Sequence, residues 1–154
     1  MWTRLYRALF AIAISAAAIA APASGKAPIS HEAMWLMKRV GAPVPSPDGK
    51  WVVFSVVEPA YDEKEQVTDL WIVPADGSAR PRRLTATKGP ESGVAWSPDS
   101  RRLAFSAKRE GDEASQIYIL DLAGGEAARV TSLTTGASSP RWRPDGKALL
   151  FSST

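Results

Sequence analysis

The stretch Trp96–Ser106 reads WSPDSRRLAFS. Nearly the same text stands at Pro45–Ser55 as PSPDGKWVVFS and at Trp142–Ser152 as WRPDGKALLFS. Trp96 and Trp142 are 46 residues apart, as are Thr85 and Thr131; Trp71 and Tyr118 are 47 apart. Pro47 and Pro98 are 51 apart, the surplus lying in a polar stretch, VEPAYDEKEQVTD, between Phe54 and Trp71. Chance would scatter such landmarks. A shared spacing identifies an internal repeat, and a repeat decides the fold before any local reading does.

Each repeat opens on a turn with a mechanism. Pro presets φ at the second position, Asp tolerates the third, and Gly49 or Gly146 takes a positive φ without a Cβ clash. The middle copy has Ser100 in the glycine position, so its turn is expected to be strained or built differently. A strand follows each turn: Trp51–Ser55, Arg102–Ser106 and Ala148–Ser152. Val52, Leu103 and Leu149 share a face with Phe54, Phe105 and Phe151, and the opposite face carries Val53, Ala104 and Leu150. A strand apolar on both faces must be covered on both faces.

A second strand, Leu70–Val73, is matched by Ile117–Leu120. After a glycine-containing turn comes a more polar third, Arg82–Thr85, matched by Ala128–Thr131. The residues entering each Pro-Asp turn, such as Gly93–Trp96, form a fourth. Four-stranded antiparallel units that cover one another's faces describe a β-propeller. The fold class is all-β: a partial β-propeller of two full four-stranded blades plus half of a third, with units over about 44–89, 90–135 and 136–154. The aspartates Asp48, Asp99 and Asp145 are read as turn formers, not catalysts.

Ahead of the blades, residues 24–43 form a lead-in with a short helix of about nine residues. Ser30 is its N-cap, Lys38 and Arg39 suit its last turn, and Gly41 ends it. Met34, Trp35 and Met37 are expected to pack on the propeller. Residues 1–23 have the pattern of a signal peptide: basic Arg4 and Arg7, an uncharged apolar run Ala8–Ala20, and small residues that predict cleavage after Ala23. The run is shorter than the ~20 residues a membrane-spanning helix needs. The expected location is periplasmic or secreted, with no stable membrane anchor after cleavage.

The 154 residues carry a formal charge of +3, and two of the basic residues fall in the leader, so the mature chain is close to neutral. Its one basic cluster, Arg80-Pro-Arg-Arg83, lacks interleaved aromatics, and no nucleic-acid partner is expected. With one histidine and no cysteine, no transition-metal constellation can be assembled. Gly111–Glu113 reads as a turn, and Ala123–Ala127 as a hairpin turn, not a dinucleotide fingerprint. No cofactor and no metal are expected.

The stretches SPDGKWVVFS, DLWIVPADG, WSPDSRRLAFS and IYILDLAGG resemble PD40-type, WD40-like propeller blades. The run from His31 to Phe54 resembles the start of the prolyl oligopeptidase family of serine peptidases, in its acylaminoacyl-peptidase and dipeptidyl-peptidase branch. That resemblance implies a propeller that gates or positions peptide substrate for a C-terminal α/β-hydrolase domain. The alternative is a non-catalytic, TolB-like periplasmic binding propeller; its α/β domain would not fit in the roughly 20 residues between leader and first blade. The peptidases use a G-x-S-x-G nucleophile elbow with a later Asp and His, and this sequence has no such motif. His31 is read as a surface residue, and Glu110 and Glu113 as solvated. No catalytic residue is assigned, and the chain alone is expected to be inactive. Family members close about seven or eight blades, so the sequence reads as the front of a longer protein that would reach peptide only through its remainder. The last strand pair is expected to leave Leu149 and Phe151 uncovered.

Overall fold

The computed structural model describes residues 28–62 and 65–153; the expected leader lies outside them. The chain runs α1 (His31–Trp35), β1 (Arg39–Val40), β2 (Val44–Pro45), β3 (Trp51–Glu58), β4 (Val67–Pro74) and β5 (Arg82–Arg83) through the first unit. The second unit is β6 (Glu91–Trp96), β7 (Arg102–Ala107), β8 (Gln116–Asp121) and β9 (Ala128–Arg129); the third begins with β10 (Ser138–Trp142) and β11 (Leu149–Ser152). All pairings are antiparallel. The second sheet runs β6-β7-β8-β9 in order, the first runs β1-β3-β4-β5 with β2 also on β3, and β10 pairs β11. Each blade is thus a meander whose first hairpin is the repeated Pro-Asp turn. A five-stranded sheet, in which β1 and β2 both pair with β3, a four-stranded sheet and a strand pair match the expected partial propeller.

The blades stack through three apolar clusters that keep the repeat. Val53, Leu70 and Ile72 of the first blade meet Trp96, Leu103, Phe105, Ala107, Tyr118 and Leu120 of the second. Ala104 and Ile117, on the opposite face of the second blade, meet Ala137 with Trp142 and Leu149 of the third. Phe105, Leu103, Leu70 and Ile117 are fully buried, and each such side chain stabilises by about 1.5–3 kcal/mol. The two-faced strand pattern is therefore a consequence of stacking: β7 is covered on both sides because it lies between two neighbours.

Three details differ from the sequence reading. The helix has five residues instead of about nine, because Arg39 and Val40 leave it to pair with Val57 and Val56 of β3. The first blade therefore begins inside the stretch assigned to the lead-in. Gly41 follows, close against β3: its N–H donates to the Ser55 carbonyl at 2.8 Å, and a Cβ there would press on the Ser55 hydroxyl. Second, Met34, Trp35 and Met37 do not pack on the propeller; they are 55%, 50% and 58% exposed. Polar contacts hold the segment instead, Tyr61 to Glu32 at 2.8 Å and Lys38 to Glu58 at 2.5 Å. Third, Leu149 turns toward the second blade and is half-buried, while Leu150 is 72% exposed and Phe151 37%.

Candidate functional site

Both ends of the seam between the first two blades carry polar groups. At the turn end, the Pro-Asp turns repeat one hydrogen-bond scheme. Asp48, Asp99 and Asp145 each accept the backbone N–H two residues on, at 3.1, 3.1 and 2.9 Å. Ser46 and Ser97 donate to Asp48 and Asp99 and accept from Trp51 and Arg102 N–H. These bonds favour the charged carboxylate. The Ser46 and Ser97 hydroxyls lead in holding Asp48 and Asp99 below the usual carboxylate range, and the Arg143 guanidinium leads at Asp145. The aspartates are turn formers, as expected. Ser100 takes the same left-handed backbone as its glycine counterparts, φ 59° against 70° and 69°. Beside this turn a cleft of about 430 Å³ opens between the blades, lined in part by Trp51, Arg82 and Arg101.

At the other end lie buried charges that the repeat pattern alone did not reveal. Glu91 opens β6 with its side chain fully buried. It accepts from the hydroxyls of Thr85 and, at 3.1 Å, Thr87. Arg109 stands 3.6 Å away. Burial pushes the Glu91 carboxyl up, against the pull of the two hydroxyls and Arg109. Arg109 lies 4.4 Å over the Tyr118 ring, and among the described residues its buried Nε has no hydrogen-bond partner. Asp69 and Arg83 approach to 2.6 Å, an ion pair without hydrogen-bond alignment. One blade along, Arg129, the counterpart of Arg83, pairs at 2.6 Å with Asp112 of the preceding loop, Gln116 standing at the repeat position of Asp69, and Tyr118 also donates to Asp112 at 2.6 Å. Burial and this bond push the Tyr118 phenol up to about 12. Arg83 and Arg129 occupy equal repeat positions, which was the one sequence signal for these pairs.

His31 is exposed in α1, far along the chain from the seam charges, and Glu110 and Glu113 are exposed. Among the described residues, no group of three His, Asp or Glu side chains could hold a metal ion. Also among them, no helix is long and apolar enough to cross a membrane. The buried acids are held by hydroxyls, guanidinium groups and backbone N–H groups. What the arrangement can do is fix blade register and present surfaces along the seams.

Residues 31–154 match the family described as PD40, the TolB beta propeller domain. The uncharacterized peptidase YuxL of Bacillus subtilis is 35% identical over 106 residues, covering 68% of this chain and 16% of its own. Dipeptidyl-peptidase 5 of Porphyromonas endodontalis is 30% identical over 125 residues, covering 80% of this chain and 17% of its own. Among solved structures, the acylaminoacyl peptidase of Pyrococcus horikoshii superposes with a TM-score of 0.59 at 18% identity, over 77% of this chain and 17% of that one. The chain thus spans about a sixth of the length of these peptidases.

Proposed function

The chain belongs to the PD40 family of TolB-type β-propeller domains, and from that premise we propose that it forms the first blades of the propeller of an exported serine peptidase. In this reading the propeller gates or positions peptide for an α/β-hydrolase domain carried by the remainder of the protein. Peptide is the partner of that whole, and the leader is removed after Ala23. The observation that carries the reading is the similarity to peptidases at 35% and 30% identity across most of the propeller stretch. The lack of a G-x-S-x-G motif in these 154 residues agrees with chemistry located elsewhere.

The test is the reading frame that contains these codons in the source genome, followed by labelling of its product with a serine-reactive fluorophosphonate. The reading expects further repeats, a G-x-S-x-G elbow, and a labelled full-length protein whose mature N-terminus is Ser24. Peptide hydrolysis by the 154-residue chain itself would overturn it. A frame that adds blades and no hydrolase motif would favour the TolB-like binding propeller, the reading that the family's own description supports.

A further inference from the structure

The cleft at the turn end of the first seam has features that the fold does not require. Its floor is apolar: Trp51 and Ile72 of the first blade, with Leu122 of the second. Its walls carry Arg82, Arg101 and Asp121. Arg82 lies opposite Ile72 across the β4–β5 pair, which places it on the face that looks toward the second blade. Both arginines are exposed, and among the described residues neither guanidinium has a carboxylate within ion-pair distance. Asp121 is committed to its own turn, accepting the Ala123 N–H at 2.8 Å.

The next seam serves as an internal control. There Ala128 stands where Arg82 does, and Arg102 stands where Trp51 does. The Arg102 guanidinium lies over the Trp142 ring at 4.8 Å. By contrast Arg83 and Arg129, which do pair with buried aspartates, recur in both blades. The Arg83 position is thus filled alike in both blades, whereas the Arg82 and Trp51 positions are not.

We propose that this cleft is a binding site for an acidic peptide segment, with an apolar side chain of the ligand against Trp51 and its carboxylates on Arg82 and Arg101. The guanidinium fork matches a carboxylate in bidentate geometry. The apolar floor disfavours a small, doubly charged anion such as phosphate, which has no apolar part to set against it. A second hollow beside Trp51 is lined by Lys50, Pro74 and Asp76, so an extended ligand can continue past the indole. The proposal does not depend on the peptidase reading; either can fail alone.

The experiment is fluorescence anisotropy of a fluorescein-labelled Glu-Leu-Glu-Phe-Glu peptide with the 154-residue chain. Binding is expected to weaken about tenfold or more in the Arg82→Gln, Arg101→Gln double variant. Arg80→Gln, in the same basic run but outside the cleft, should change affinity less than about twofold. The matching lysine peptide should not bind, and inorganic phosphate should not displace the probe. Both arginines are exposed, so the variants should melt with the parent. No binding by the parent chain, equal binding by the double variant, an equal loss in Arg80→Gln, or full displacement by phosphate would each sink the proposal.

Discussion

The Ser100 hydroxyl accepts a hydrogen bond from the backbone N–H of Asp48 at 3.1 Å, tying the turn of one blade to the turn of the next. This bond explains a serine at a left-handed position that glycine fills in the other two copies. Left-handed backbone costs a residue with a Cβ roughly 1–2 kcal/mol, and a hydrogen bond returns about 0.5–1.5 kcal/mol. Ser100→Ala keeps the strain and loses the bond, so it should destabilise by about 1 kcal/mol. Ser100→Gly loses the bond and the strain together and should be nearly neutral. Urea unfolding of both variants checks the order; an alanine variant as stable as the parent would show that the bond contributes nothing, and one as stable as the glycine variant would show that the left-handed backbone costs nothing.

A second cross-blade bond repeats with the sequence. Trp96 Nε1 donates to the Val44 carbonyl at 2.9 Å, and Trp142 Nε1 donates to the Ala95 carbonyl at 3.2 Å. Val44 and Ala95 occupy equal positions in successive blades. Trp96 is 8% exposed and sits inside an apolar cluster. Trp96→Phe should therefore cost about 2–3 kcal/mol, from one unpaired carbonyl and the volume lost. Trp142→Phe, at a half-exposed site, should cost less, about 1 kcal/mol. Chemical denaturation of the two variants tests this ranking.

These two relationships mark what could be read from the sequence. The spacing of tryptophan, proline and aspartate gave the blades, because each is demanded by local turn geometry or by stacking that recurs in every unit. The length of α1 was misread because its end is set by β3, a partner distant in sequence that takes Arg39 and Val40. Glu91 was invisible for a different reason. Its counterpart in the third unit is Ala137, so no repeat announced it, and its burial follows from the hydroxyls and the arginine that surround it. The Trp51 cleft became apparent only once the two seams could be compared.

Tyr118 should make the fold sensitive to alkali. Its phenol is held up at about 12 by burial and by its hydrogen bond to the Asp112 carboxylate. The unfolded chain ionises this group near its ordinary value of 10.0. The folded state therefore keeps a proton that the unfolded state releases, so its stability is full below about pH 10 and falls as pH rises toward about 12. Tyr118→Phe has no such proton. It should be less stable than the parent at neutral pH by about 1 kcal/mol, for the lost hydrogen bond, and should close that gap as the solution becomes alkaline. Parallel slopes for the two proteins above pH 10 would remove Tyr118 from the account.

Glu91 acts in the acid range with the same sign. Burial raises its folded-state value above the ordinary 4.5, and Asp69 adds to the rise, while Thr85, Thr87 and Arg109 oppose it. A raised folded value means stability that is fully present below the unfolded value and is lost as pH increases through the folded one. Above its folded value the carboxylate is ionised in a setting where burial disfavours the charge. Glu91→Gln removes the ionisation and keeps an acceptor for the threonine hydroxyls. Asp48, Asp99, Asp112 and Asp145, whose folded values are lowered, pull the other way and lose stability as pH falls. They are common to parent and variant and cancel in the difference. The stability of the variant relative to the parent should therefore increase from pH 4 to pH 7, measured by denaturant titration at several pH values. A difference that stays constant over that interval, or that runs in the opposite direction, would mean that Arg109 compensates the buried charge fully, and that the seam holds Glu91 as a stabilising ion.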